Sequence, residues 1–394
     1  MSSTDSIYFN AAASREHCKY APASGVVEFH KSLPNYAPTP LVSLPRFAAE
    51  LCVQAVFVKD ESNRFGLPSF KVLGASWGCF RAVARHLGFS SDENSLEKLA
   101  SQAKANSISL VTATEGNHGR AVAYMARLLE IRAQIFVPRS MNESTRDLIA
   151  SEGALVSVFQ GTYDDAVQEA WEYAKDKGVL LIQDTAFDGY EDVPAWIVEG
   201  YSTMMKEVEE QLSQLDLAAS MVVTPVGVGS LALAVTRHCK SRGVSVVAVE
   251  PDSAPCLLSS LRAGKPTPVQ TSTTIMDGMN CGTVSSMAWP DLQRLIDACV
   301  MVSSNESHNA VQYLASNSVA SGPCGGASLA ALRRIAMATE RSQVINENSV
   351  IVLLSTEGPR EYQVPCQSSM DASSRNGIIG GKPQEYILKN LVRI

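Results

Sequence analysis

The chain is 394 residues long, 45% hydrophobic and 19% charged, which is enough apolar material for two packed lobes or one large domain with a smaller insertion. A net charge of −7 with no basic block argues against nucleic acid as a partner, and no apolar stretch is long enough to span a bilayer. Nine cysteines without a CxxC pair, and an N-terminus (MSSTDSIYFN) lacking the pattern of a signal peptide, predict free thiols and a cytoplasmic protein.

Residues 1–46, with Pro22, Pro34, Pro38, Pro40 and Pro45, read as an extended arm crossing the surface. Short apolar runs then alternate with longer helical patterns. The runs are AVFVK from Ala55, ISLVTA from Ile108, AQIFVP from Ala133, ALVSVF from Ala154 and VLLIQD from Val179, then MVVTPV from Met221, VSVVAVE from Val244 and SVIVLLS from Ser349. Each is nearly continuous in Val, Ile and Leu, the pattern of strands covered on both faces. Helices are expected over 72–87, 120–130, 164–177, 196–212 and 230–242, with a short helix capped by Asn142 and ended by Gly153. The polar stretch 90–106 reads as a surface excursion and 367–382 as a loop. Alternating strands and helices predict an α/β fold of mostly parallel sheets.

Three segments carry candidate chemistry. In KDESNRFGLPSFKVLGA, from Lys59, Lys71 stands where a loop gives way to an apolar helix, flanked by Phe70 and Val72. Apolar surroundings disfavour its ammonium and free the amine to form a Schiff base with a carbonyl cofactor. In TATEGNHGRAVAYMA, from Thr112, a polar glycine-punctuated turn closes a strand and opens a helix, where α/β folds place ligands. A plain helix cap would need the same residues. In LLSTEGPREY, from Leu353, hydroxyls at Ser355 and Thr356 also sit at a strand's carboxyl end. A fourth signal, PVGVGSLALAV from Pro225, brings glycines and a helix N-terminus together as a phosphate cradle. With Glu250 after the next strand it also fits a dinucleotide fingerprint, so a nicotinamide-dependent dehydrogenase is the competing reading from another class. The six histidines show no metal-ligand spacing, and no metal site is expected.

In that order, SFK, GNHG, the glycine loop and the late Ser/Thr resemble the fold-type II pyridoxal-phosphate enzymes, relatives of tryptophan synthase β, over roughly residues 40–360. Within that group KDES-RFGL-SFK-LG, QDTAFDGYEDVPAWIVEGY from Gln183 and TIMDGMNCG from Thr274 are most similar to diaminopropionate ammonia-lyases. The resemblance implies two open twisted, mostly parallel sheets with pyridoxal phosphate in the cleft. The large cofactor-binding domain would comprise 1–70 and 205–394, and the small mobile domain 71–204. Lys71 would carry the cofactor beside Phe70. Asn117 would meet its phenolic oxygen, Gly227, Val228, Gly229 and Ser230 its phosphate, and Ser355, with Thr356 as the second choice, its ring nitrogen. Asp184, Glu115 and Lys71 would handle the α-proton. Ser69, Thr114, Glu115, His118, Asp184 and Met279 are the expected substrate contacts. A homodimer acting on a small amino acid is implied, with no nucleic-acid or membrane partner. Asp184 could instead cap a turn, and Tyr190, Trp196 and Tyr201 read as packing; Cys281 and Cys324 read as small buried residues. The family's TDGNHG is here TEGNHG, its EPN is Thr283, Val284 and Ser285, and its SGESG stretch is SGPCGG from Ser321. These departures bear on the substrate, so dehydration of serine or threonine, β-replacement and racemisation stay open.

Overall fold

The computed structural model describes residues 6–11, 13, 20, 23–89, 95–114, 116–139, 141–161 and 163–365. Its strands are β1 Ile7–Phe9, β2 Leu41–Ser43, β3 Ala55–Asp60, β4 Ser109–Ala113, β5 Arg132–Pro138, β6 Leu155–Phe159, β7 Leu180–Leu181, β8 Met221–Pro225, β9 Ser245–Pro251, β10 Ala298–Val302 and β11 Val350–Ser355. Two sheets form: a seven-stranded one in the order β1-β10-β9-β8-β11-β3-β2, and a four-stranded one in the order β6-β5-β4-β7. The small sheet is wholly parallel, and the large one is parallel except for the edge strands β1 and β2.

The valine-rich runs explain the large sheet. Val222, Val246 and Val352 face one apolar cluster, while Met221, Val223, Val247 and Leu353 face another. Successive side chains point to opposite faces, so a strand covered by helices on both sides must be apolar at every position. The small sheet repeats the pattern, with Leu110 and Ile135 on one face and Val111 and Phe136 on the other.

Several expectations need correction. The arm over 1–46 carries β1, β2 and the helix Val26–Ser32, and a further helix starts at Pro45, so its prolines punctuate real elements. The excursion over 90–106 holds the helix Leu96–Ala105, capped by Ser95. Strand β10, ACVMV, is fully buried and was not among the predicted runs. The run ALVSVF forms β6 at a sheet edge, where Leu155 is 64% and Val158 40% exposed, because β6 pairs with β5 alone. The helix expected over 196–212 divides at Tyr201 into Asp192–Gly200 and Ser202–Ser213. The Asn142-capped helix is Glu143–Ala150, with the Asn142 side chain accepting from the Thr145 N–H. The loop expected over 367–382 lies outside the described residues.

A buried ionic cluster holds the segment that leads to Lys71. Lys59 and Arg64 bond Glu207 at 2.7 and 2.6 Å, and Arg64 also bonds Glu61 at 2.6 Å. All four side chains are buried. Such a cluster costs desolvation but leaves a large penalty if one partner is removed, so it pins the loop to the helix Ser202–Ser213. The loop turns back at Phe65 and Gly66, both at positive φ, with reciprocal Arg64–Leu67 backbone bonds of 2.8 and 2.9 Å.

Candidate active site

The helix Lys71–His86 begins after a loop that pairs with the chain leaving β11. The Phe70 N–H donates to the Thr356 carbonyl at 3.3 Å and the Gly358 N–H to the Pro68 carbonyl at 2.8 Å. Lys71 is thereby set against the end of a central strand, where backbone groups run out of partners and a cavity opens. The cavity measures about 400 Å³. Of the expected site residues, Phe70, Lys71, Thr114, Asn117, His118, Asp184, Gly227, Val228, Ser230, Met279 and Thr356 line it.

Asp184 reaches this wall through two ties. Gln183 Oε1 accepts from the Thr112 hydroxyl at 2.9 Å and the Ala113 N–H at 3.1 Å, which joins its segment to the end of β4. The Ser230 hydroxyl donates to the Asp184 carbonyl at 2.8 Å, which joins it to the glycine loop. The Asp184 carboxylate then accepts from Lys71 Nζ at 2.6 Å. Burial alone pulls the lysine down, but the adjacent carboxylate outweighs it and holds the amine above its ordinary range. Burial likewise pushes Asp184 up, and the Lys71 ammonium bonded to it outweighs burial and holds it well below the usual carboxylate range. His118 Nε2 donates to the Ile182 carbonyl at 2.8 Å, so Nδ1 is the bare acceptor of the neutral ring, 4.0 Å from Asp184 Oδ2. Burial lowers the His118 pKa, against the pull of Asp184.

The turn before the next helix is organised by Thr114, whose hydroxyl accepts from the N–H groups of Gly116 (2.9 Å) and Gly119 (3.0 Å). The helix Asn117–Leu128 follows. The Asn117 side chain donates to Glu357 at 3.1 Å, and the other oxygen of Glu357 accepts from the Cys324 N–H at 3.1 Å. Glu357 is 5% exposed, lines the cavity and was not singled out from sequence, although it follows Thr356 directly. Arg120, Cys281, Cys324 and Arg360 also line the cavity. Cys324 is buried as expected, and burial pushes its thiol far up, which opposes a nucleophilic role.

Three expected residues stand elsewhere. Ser355 does not line the cavity; its hydroxyl is engaged with that of Ser321 at 2.9 Å. Ser69 is 3% exposed and accepts from the Lys71 N–H at 3.3 Å. Gly229 shapes the loop from outside the lining set. Glu115 lies outside the described residues. Glu250, the acid on which the dehydrogenase reading leaned, is fully buried and accepts from the N–H groups of Leu257 (2.7 Å) and Leu258 (2.8 Å). It caps a helix and is closed to a ribose.

The glycine loop fits a phosphate. Gly229 stands at φ +101, and the helix Ser230–Lys240 begins directly after it. A Cβ at Gly227 would lie 3.1 Å from the Gly278 carbonyl and 3.3 Å from Cys281 Sγ. Among the described residues the N–H groups of Gly227, Val228 and Gly229 donate to no protein acceptor, so they are free for an anion at a helix N-terminus. Lys71 faces the same cavity, and the two features together suit a phosphate-bearing aldehyde.

Comparison with known proteins agrees. The family model described as pyridoxal-phosphate dependent enzyme matches residues 33–357. The chain is 37% identical over 278 residues to the diaminopropionate ammonia-lyase of Salmonella typhimurium, covering 67% of this chain and 68% of that one. It is 30% identical over 353 residues to the Escherichia coli K12 enzyme of the same name, covering 85% and 88%. The crystal structure of the Escherichia coli enzyme in complex with D-serine superposes with a TM-score of 0.82 at 28% identity, over 89% of this chain and 93% of that one. Maize serine racemase, at 22% identity and a TM-score of 0.70 over 87% and 95%, shares the fold. The chain belongs to the pyridoxal-phosphate dependent enzyme family, and its cofactor is pyridoxal 5'-phosphate.

Proposed function

We propose that this chain is an ammonia-lyase that converts 2,3-diaminopropionate and water to pyruvate and two ammonia. The observation that carries the reading is the Lys71–Asp184 pair at 2.6 Å in a cavity that also holds the glycine loop. Its relatives at 37% and 30% identity are named for the same substrate.

Bound pyridoxal phosphate supplies an electron sink for the negative charge that forms at the substrate α-carbon. Lys71 supplies the amine that joins the cofactor carbonyl. Gly227, Val228 and Gly229, with the start of the helix at Ser230, hold the phosphate. Asn117 keeps one amide hydrogen for the phenolic oxygen, its other being engaged by Glu357. Thr356, which lines the cavity, is a better hydroxyl partner for the ring nitrogen than Ser355. Asp184 is the base for the α-proton, since it is ionised, buried and within reach of the groups around Lys71. Glu115 is assigned to the α-proton of the opposite enantiomer on the TEGNHG motif alone.

On this reading the small lobe comprises residues 71–204 and moves against the rest, and the enzyme is a homodimer in the cytoplasm. Light scattering on a sizing column tests the dimer. The function is tested by incubating the enzyme with each enantiomer of 2,3-diaminopropionate and measuring pyruvate and ammonia. Two ammonia per pyruvate, and loss of both turnover and cofactor absorbance in Lys71→Ala, are expected. Cofactor absorbance with no pyruvate from either enantiomer overturns the substrate assignment and turns attention to serine and threonine.

A further inference from the structure

Tyr201 stands between the helices Asp192–Gly200 and Ser202–Ser213 and is fully buried. Its ring presses on the first turn of the Lys71 helix. A Cβ at Gly74 would lie 2.5 Å from Tyr201 Cε1 and 2.7 Å from Cζ, the atom that carries the hydroxyl. Gly74 is three residues beyond Lys71, so both lie on one helix face. The Phe70 ring packs on Tyr201 with centroids 4.9 Å apart, and Lys71 Nζ lies 5.6 Å from the centre of that same Phe70 ring.

The Tyr201 hydroxyl is buried here without a hydrogen-bond partner. Phenylalanine would fill the same space without stranding a polar group, so packing alone does not account for tyrosine. The charged groups that the phenol feels are Lys71 and Asp184, and burial raises its pKa, which keeps it a donor. Of the two, Lys71 is the one that would change partner during turnover, because a lysine that holds the cofactor would have to release it while the substrate is held. A freed neutral amine is an acceptor that needs a donor. While Asp184 is ionised it can only accept, so it cannot supply that donor.

We propose that Tyr201 is a positioning residue: its hydroxyl donates a hydrogen bond to the Lys71 nitrogen once that nitrogen is released, and holds it at the cavity wall for its return to the cofactor. The inference rests on the assignment of Lys71 as the cofactor-bearing lysine.

The test is Tyr201→Phe in the cofactor-loaded enzyme. One lost hydrogen bond in the displaced state predicts a fall in kcat of about tenfold or more. The KM is expected to stay within about twofold, since the ground-state contacts are untouched. The melting temperature is expected to hold or rise, because an unpartnered buried hydroxyl is removed. After a limiting dose of substrate, the resting cofactor absorbance is expected to return more slowly than in the wild type, a readout that a purely structural role would not move. An unchanged kcat and return rate overturns the proposal. So does a lower melting temperature with an unchanged return rate, which would mark the hydroxyl as a structural group bound to buried water. Loss of cofactor absorbance in Lys71→Ala is a separate result, and its failure would remove the premise without involving Tyr201.

Discussion

Asp184→Asn removes one charge from the centre of the site and leaves its shape intact. The carboxylate accepts from Lys71 Nζ at 2.6 Å, and its side chain is 8% exposed, so the pair interacts with little solvent screening. Two effects follow with opposite signs for the two halves of the chemistry. The lysine loses the carboxylate that raises its pKa, and the uncompensated effect of burial lowers it, so more free amine is present at neutral pH. Cofactor capture by Lys71 is therefore expected to persist, at the same or lower pH. Proton removal loses its base, and positioned general bases contribute about 10²–10⁴-fold. The expected outcome is a fall in kcat of that size with 2,3-diaminopropionate, about 3–5 kcal/mol in activation free energy. The assay is pyruvate release for each enantiomer beside an absorbance titration of the cofactor. One enantiomer losing far more than the other would divide the work between Asp184 and Glu115. A kcat within about threefold of wild type for both enantiomers refutes the role of Asp184 as base. Loss of the cofactor absorbance would mean that the carboxylate is needed to hold the lysine in place for the cofactor.

Two predictions concern the framework. Glu250 is fully buried, and desolvation raises its pKa from 4.5 to about 7 against four hydrogen bonds that favour the charge. A carboxyl raised in the fold contributes stability that is fully present below pH 4.5 and lost as pH rises through 7, a change of about 3 kcal/mol at 1.36 kcal/mol per pH unit. Glu250→Gln is therefore expected to be as stable as wild type at pH 4–5 and more stable at pH 8 in urea unfolding, and a gap that does not grow with pH refutes the assignment. Glu207→Gln breaks the cluster that neutralises Lys59 and Arg64, both 0% exposed at their side chains, and is expected to cost about 3–5 kcal/mol in the same assay. A loss under about 1 kcal/mol would mean that water enters the cluster.

The runs of Val, Ile and Leu were enough to identify most strands and the α/β class, because a strand covered on both faces must be apolar at every position. Four motifs in order also carried the cofactor, since a lysine at a helix start and a glycine loop are local backbone features. The element ends, and the contacts between distant segments, were not legible. Burial depends on a strand's neighbours, so β6 looked like an interior strand and β10 was overlooked. Ser355 and Thr356 differ by one residue, and adjacent side chains at a strand end point to opposite sides, so only the packing around the end of β11 decided that Thr356 lines the cavity. Glu250 has the spacing of a ribose-binding acid, and only packing turned it inward onto a helix. Asp184 meets Lys71 across 113 positions of sequence because Gln183 ties its segment to the end of β4 and Ser230 ties it to the glycine loop. The amino-acid sequence by itself determined which backbone elements form and which cofactor they suit. The direction of each side chain at a strand end, and the partner it finds there, depended on tertiary contacts between segments far apart in the chain.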